Sequence, residues 1–250
     1  MNLYSYSLKL IDPLFYAREG ISGAFTPPYI HATALNYALS WAMGKSREDQ
    51  SYLMTNVNGH RNTPFYESSL IDKDYYLTPA RLKGSPNYYT EIVKGDGDKT
   101  IQVSYGISEL NGQRIRRRFN NELLKAYRIY SIAPESIFEG YLFLNTDVAQ
   151  LPKLIRLGSF RGLVGLEVNG PLKIIGKEKQ KYCDHPIDPL VSKVLRGTSV
   201  SMLPYPVVDQ AMVEDVLEIR KYGQRIFVSS VFSGVSEKVE PIRNNPSIIV

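Results

Sequence analysis

One change of hydrophobic period within the first 44 residues constrains the fold more than any other feature. Tyr4, Tyr6, Leu8 and Leu10 alternate with Ser5, Ser7 and Lys9, a period of two that predicts a half-buried strand. Asp12-Pro13 ends it, and a loop punctuated by Gly20 and Gly23 follows. Thr26-Pro27-Pro28 suits a helix start with proline in the first turn. Ile30, Ala34, Tyr37, Ala38 and Trp41 then recur at helical spacing, and Gly44 stops the pattern. A strand feeding an amphipathic helix points to a sheet with a helix laid on one face.

Later segments extend that pattern. Residues 45–97 are polar and turn-rich, with only Tyr75-Tyr76-Leu77-Thr78 reading as a strand. So long an irregular insert in a compact domain is usually functional. Ile101–Tyr105 and Arg114–Phe119 read as strands around a turn at Asn111-Gly112, and Ala126–Ile132 and Ile137–Leu144 add two more. Thr146 or Asp147 can cap a short helix over 148–157, which runs through a glycine-bearing turn into the strand Leu163–Val168. Beyond it, a proline-rich connection leads to a helix around Val213–Lys221 and a strand over Arg225–Val231.

The expected class is therefore α+β: a ferredoxin-like (RRM-type) core, one sheet face covered by two helices, with a large insertion and a C-terminal extension. In residue numbers this is a domain over 1–168, its insertion at 45–97, and a smaller region over 169–250 packed on it.

Composition narrows the class of protein. The chain has 250 residues, 43% of them hydrophobic and 22% charged, which excludes wholesale disorder. Its apolar runs, such as Tyr141-Leu142-Phe143-Leu144, are strand-sized and far below the roughly 18–20 residues of a membrane span. Met1–Ser7 has neither a basic nor an apolar stretch of the signal-peptide kind. The single Cys183 fits a reducing compartment. These observations predict a soluble, intracellular, core-forming protein with no membrane partner.

The formal charge of +5 is small, but its location is informative. Between Asn111 and Arg161 lie nine basic residues and four acidic ones, and the remaining 21 of each sign cancel. In Arg114-Ile115-Arg116-Arg117-Arg118-Phe119, alternation places Arg114, Arg116 and Arg118 on one face and Arg117 on the other. Same-face residues of a strand lie roughly 6.5–7 Å apart, close to the phosphate spacing of a single-stranded nucleic acid. Arginine binds phosphate bidentately and stacks on bases. An exposed edge strand guarded by charge is the competing explanation.

A second candidate is Arg156-Leu157-Gly158-Ser159-Phe160-Arg161-Gly162. Its glycines permit positive φ, while Arg156, Phe160 and Arg161 offer charge and a stacking surface. Tyrosine, with 18 copies, supplies further stacking candidates on predicted strands: Tyr4, Tyr6, Tyr127 and Tyr130.

Catalytic patterns are scarce. His31, His60 and His185 are scattered, and Cys183 with His185 lacks the second pair of a zinc site. Neither a phosphate-binding loop, a nucleophile elbow nor a zinc-protease helix motif occurs. No metal and no cofactor is expected. A metal-independent ribonuclease needs only a base, an acid and a cation, so His31 or His60 with a Tyr and a Lys is the alternative enzymatic reading.

Several blocks together resemble one family. The first strand, Phe15-Tyr16-Ala17-Arg18-Glu19, Pro28, His31, Ala34-Leu35 and Tyr37-Ala38-Leu39 resemble the N-terminus of the Cas-five-type subunit, Csc-one, of type I-D CRISPR effector complexes. Tyr75–Ala80 and Leu157–Arg161 are similar to later segments of that family. The resemblance implies a RAMP protein of antiviral defence in a prokaryotic cytoplasm. It implies a ferredoxin-like domain with a glycine-rich loop between its last helix and last strand. It also implies a non-catalytic subunit of the ribonucleoprotein complex (Cascade) that grips the 5′ handle of the crRNA. The implied partners are a backbone subunit, the large subunit and target DNA near the PAM, with precursor processing left to a separate enzyme.

Overall fold

The computed structural model describes residues 2–16, 24–44, 54–55, 63–64, 74–94, 109–110, 113–114, 126–202, 205–221 and 223–230. In chain order their strands begin with β1 (Asn2–Leu10), β2 (Ala24–Phe25), β3 (Tyr29–Ile30), β4 (Met54–Thr55), β5 (Thr63–Pro64), β6 (Tyr75–Leu77), β7 (Ala80–Leu82), β8 (Tyr88–Lys94) and β9 (Glu109–Leu110). They continue with β10 (Gln113–Arg114), β11 (Ala126–Ile132), β12 (Ile137–Leu144), β13 (Leu154–Leu157), β14 (Gly162–Asn169), β15 (Ile174–Tyr182), β16 (Val194–Val200), β17 (Val207–Lys221) and β18 (Gln224–Ser229). One α-helix, α1 (Ala32–Ala42), follows β3. Among the described residues the protein is thus mostly β, with one helix laid on a sheet, an α+β arrangement in the broad sense.

The principal sheet runs β13-β14-β1-β12-β7-β3, with β6 also paired to β12. Its pairings are antiparallel. The alternation predicted for β1 is present, with Tyr4, Tyr6, Leu8 and Leu10 buried. However, β1 is more than half-buried, because Leu3 and Ser5 on its other face are buried too. The second sheet covers that face near Leu3. Tyr6 lies against Gly140, its register partner, where a β-carbon would sit 2.5 Å from the phenol oxygen. The Tyr6 hydroxyl donates to the Thr78 carbonyl at 2.6 Å.

Helix α1 begins later than Thr26-Pro27-Pro28 suggested. Residues preceding proline favour extended backbone, and Tyr29–Ile30 pairs with β7 instead. His31 takes the cap position, its Nδ1 accepting from the Thr33 N–H at 3.1 Å. Leu35, Ala38 and Leu39 face the core. The buried Asn36 amide donates to the carbonyls of Ala32 and Leu77 and accepts from the Leu77 N–H, each at 2.9 Å. That side chain fastens the helix to β6.

Two predicted helices are strands in the structure. Asp147 does cap a turn, accepting from the Ala149 N–H at 3.0 Å, but the 3₁₀ helix Val148–Gln150 stops at Leu151. Pro152 has no N–H to continue it and forces the preceding residue out of helical backbone. The chain then enters β13. Val213–Lys221 belongs to the 15-residue β17, where Val207, Asp209, Ala211 and Val213 alternate into the interior. The principal sheet therefore has one helix, not two, among the described residues.

The remaining expected elements divide by location. Strands over Ala126–Ile132, Ile137–Leu144, Leu163–Val168 and Arg225–Val231 are found as β11, β12, β14 and β18 within a residue or two. Ile101–Tyr105 lies outside the described residues. The second large sheet runs β15-β17-β16, with β18 also on β17. It meets the first in a core of Leu3, Tyr76, Tyr141 and Phe143 against Leu217, Ile219 and Val228. At the rim of this contact Asp209 accepts from the Tyr29 hydroxyl at 2.8 Å and pairs with Arg81.

Candidate nucleic-acid interface

The glycine-bearing turn predicted as a ligand loop joins two strands rather than a helix and a strand. β13 and β14 pair through Arg156↔Leu163 and Leu157↔Gly162, leaving Gly158–Arg161 as the connection. Gly158 has φ +78°, and a β-carbon there would lie 2.6 Å from the Phe15 carbonyl oxygen. Both facts require glycine. The Ser159 N–H donates to that same carbonyl at 2.8 Å, and the Arg161 N–H closes the turn on the Gly158 carbonyl at 3.0 Å. Arg161 itself sits at φ 53°.

The turn is seated on the segment that leaves β1. Phe160 stacks on the buried Phe15 with ring centroids 5.2 Å apart and an interplanar angle of 20°. The Leu163 N–H donates to Asp12 Oδ2 at 2.8 Å. Burial beside the turn pushes the Tyr16 phenol well above its ordinary range. Phe160 nevertheless remains 58% exposed. Arg156 and Arg161 are exposed as well, and neither forms an ion pair among the described residues. Arg156 Nη1 donates to the Arg161 carbonyl at 3.0 Å, which aims one guanidinium along the turn and leaves its other donors free. The result is a pinned aromatic face flanked by two arginines, suited to stacking a base while neutralising its phosphates.

The basic strand is described only at its start. Arg114 lies in β10 and pairs in register with Glu109 of β9. Arg116, Arg117 and Arg118 lie outside the described residues, so the structure does not join them to the turn. Among the tyrosines, Tyr4 and Tyr6 are buried and offer no ring to a ligand, while nothing is described of the Tyr127 side chain. Tyr130 is half-buried and stacks on Phe25 at 4.1 Å, with Tyr88 edge-on to Phe25 at 5.9 Å. Phe25 carries the exposed surface of that cluster. Sequence reasoning gave no stacking role to Phe25, which sits in no periodic or charged segment, or to Phe15, which entered only as part of a family block.

The polar candidates of the enzymatic reading have structural occupations. His31 caps α1, and its ring stands edge-on to Tyr205 at 4.4 Å. Burial lowers it to about 4. His185 contacts the Pro186 carbonyl through Nδ1 at 2.8 Å and accepts from the Ser229 N–H through Nε2 at 3.1 Å, and burial lowers it also to about 4. Burial pushes the Cys183 thiol up, with Asp184 adding to the effect, which favours the protonated thiol. His60 lies outside the described residues. Among the described residues no group of three His, Cys, Asp or Glu side chains could hold a metal ion. No helix among them is long and apolar enough to cross a membrane.

The principal sheet is thus antiparallel, carries one helix, and has at its edge a turn that exposes an aromatic ring and two arginines. Residues 1–233 match the family model of the Type I-D CRISPR-associated protein Cas5/Csc1, and the chain belongs to that family. No curated protein matches the sequence. Among solved structures, it is similar to a chain of a type III-B Cmr-beta complex bound to cognate target RNA and AMPPnP, at 11% identity and a TM-score of 0.43, over 96% of this chain and 88% of the other. It is also similar to oligomeric Cmr4 from Pyrococcus furiosus, at 11% identity and a TM-score of 0.29, over 68% and 98% of the two chains.

Proposed function

We propose that this chain is a non-catalytic, crRNA-binding subunit of a type I-D Cascade complex, holding the 5′ handle of the crRNA at the Gly158–Arg161 turn. The observation that carries the proposal is the seating of Phe160 on Phe15, with its outer face exposed between Arg156 and Arg161. A ring already immobilised stacks on a base at little further entropic cost. The sheet supports a RAMP reading. Numbering β1, the β6–β7 pair, β12 and β14 as first to fourth, the order across the sheet is fourth, first, third, second (β14, β1, β12, β6–β7), with α1 after the first. This order supports a ferredoxin-like core, with a 3₁₀ turn and β13 standing where such a core has its second helix.

In this reading the complex lies in the cytoplasm. The neighbours are the backbone subunit and the large subunit near the PAM end of target DNA; of the 45–97 segment expected as an insertion, β6 and β7 belong instead to the principal sheet. The histidine environments favour a non-catalytic role, since His31 and His185 are both buried and held neutral.

Fluorescence anisotropy with handle-containing RNA tests the site. Phe160→Ala should weaken binding about five- to a hundredfold, the range for one lost stacking partner. Arg156→Glu with Arg161→Glu should weaken it further and flatten the salt dependence. Unchanged affinity in both variants overturns the assignment. Arg114→Glu, Arg116→Glu and Arg118→Glu together test the basic strand in the same way. Repeat RNA incubated with the protein in EDTA should stay intact. Site-specific cleavage that disappears in His31→Ala would instead establish a metal-independent endoribonuclease.

A further inference from the structure

We propose that β15 is a second binding track, for single-stranded nucleic acid, leading to a cleft that holds one nucleotide against Tyr182. The proposal rests on the reading above only for the class of ligand, since its residues lie in the other sheet.

Lys177, Lys179 and Lys181 are exposed along β15 and lie opposite Leu217, Asp215 and Val213 of β17, with Gln180, between the last two lysines, held at φ 54°. Among the described residues β15 pairs with β17 alone, and none of them lies along its outer edge as a strand. Alternate residues of a strand stand roughly 6.5–7 Å apart, which matches successive phosphates of an extended single strand. The nearby carboxylates are mostly committed elsewhere. Glu214 pairs with Lys193 at 2.9 Å, Glu218 with Arg225 at 2.6 Å, and Asp209 with Arg81. Glu178, within the row, and Asp215, across from Lys179, are the acids left beside it. None of the three lysines forms an ion pair among the described residues.

At the end of the row the chain opens into a cleft of about 540 Å³, lined by Tyr182, Arg196, Thr198 and Gln210. That volume suits a nucleotide. Tyr182 is 54% exposed and offers a ring for stacking. Arg196 offers a fork for phosphate, and Thr198 and Gln210 offer a hydroxyl and an amide for a base edge. Gly197 shapes the floor: a β-carbon there would lie 2.4 Å from Val208 Cγ1. Gln210 is held at φ 49°, backbone that L-residues rarely adopt and that clusters at binding sites. Lysine on an open edge also discourages edge-to-edge pairing. Edge protection accounts for the lysines but not for an aromatic and an arginine beside a cleft at their end.

The experiment uses the full chain, a short mixed-sequence single-stranded RNA and the DNA of the same sequence, titrated across a range of salt. Lys177→Glu, Lys179→Glu and Lys181→Glu together should weaken binding at least about tenfold at ~0.1 M salt and reduce the logarithmic salt slope by about 2, three phosphates at roughly 0.7 each. Tyr182→Ala should weaken it about five- to a hundredfold with the slope unchanged. The glutamine triple variant, melted alongside, keeps the test open should charge reversal disturb folding. Loss on both probes marks a track that reads backbone, and loss on one identifies which strand it serves; either supports the proposal. Unchanged affinity and slope in a folded triple variant overturn it, and aggregation with binding intact shows that the lysines only guard the edge. The Phe160 and Arg156/Arg161 variants run in parallel separate the two sites. Loss there alone leaves the turn standing and removes the track, and loss at β15 alone does the reverse.

Discussion

β1 and β15 are strands of the same length, nine residues each, with opposite fates. β1 is flanked by strands on both sides and covered on both faces, so even Ser5 is buried. Among the described residues β15 has a neighbouring strand on one side only, and Ile174 and Ile175 are exposed at its start. The same extended backbone becomes a core element in one place and a charged rim in the other. The difference lies in how many neighbours each strand acquires. Burial around β1 supplies stability, and its absence along β15 leaves charge available for a ligand.

That contrast can be broken most directly by truncation. Leu8→Ala in β1 should cost about 2–5 kcal/mol in urea unfolding, whereas Ile175→Ala in β15 should stay within about 0.5 kcal/mol. Equal losses would mean that β15 is as well packed as β1.

Acid probes the place where the two sheets meet. His31 and His185 are held neutral down to about 4 in the folded protein but take up a proton near pH 6.5 once unfolded. The unfolded chain therefore binds more protons between those values, and stability should fall as pH drops from about 6.5 toward 4, by on the order of 2–3 kcal/mol per histidine. Thermal melts across that window check it. A flat Tm would show that neither imidazole is as isolated as its surroundings indicate.

A smaller effect is expected at the turn. Gly158→Ala meets both a positive φ and the Phe15 carbonyl, and should cost about 1–2 kcal/mol while weakening RNA binding. Smallest of all, replacing the three β15 lysines by glutamine should move stability by less than about 0.5 kcal/mol. A larger loss would show that these side chains hold the sheet together.

Local pattern was a good guide wherever one period dominated. The alternation at Tyr4–Leu10 and the helical spacing at Ala34–Trp41 both correspond to the elements observed. It misled at Val213, Val216 and Leu217, whose spacing fits a helical stripe as well as a long strand. Only pairing with β15, β16 and β18 chose the strand. Net-charge counting had the same weakness. It directed attention to residues 111–161, where Arg156 and Arg161 are indeed exposed, and it passed over β15 because the acids of β17 cancel those lysines in the sum. In space, Glu214 and Glu218 are engaged by Lys193 and Arg225, so cancellation on paper is not neutralisation on the surface.

The sequence by itself determined the strand and helix periods at the N-terminus, the glycine that the turn after β13 requires, and the blocks that mark the family. Only the tertiary structure decided that Phe160 rests on Phe15, that Asn36 fastens α1 to β6, and that the β15 lysines have no ion partner among the described residues. Periodicity records which way a side chain leaves its own backbone. What that side chain meets depends on strands paired across long stretches of chain, and no local pattern carries that information.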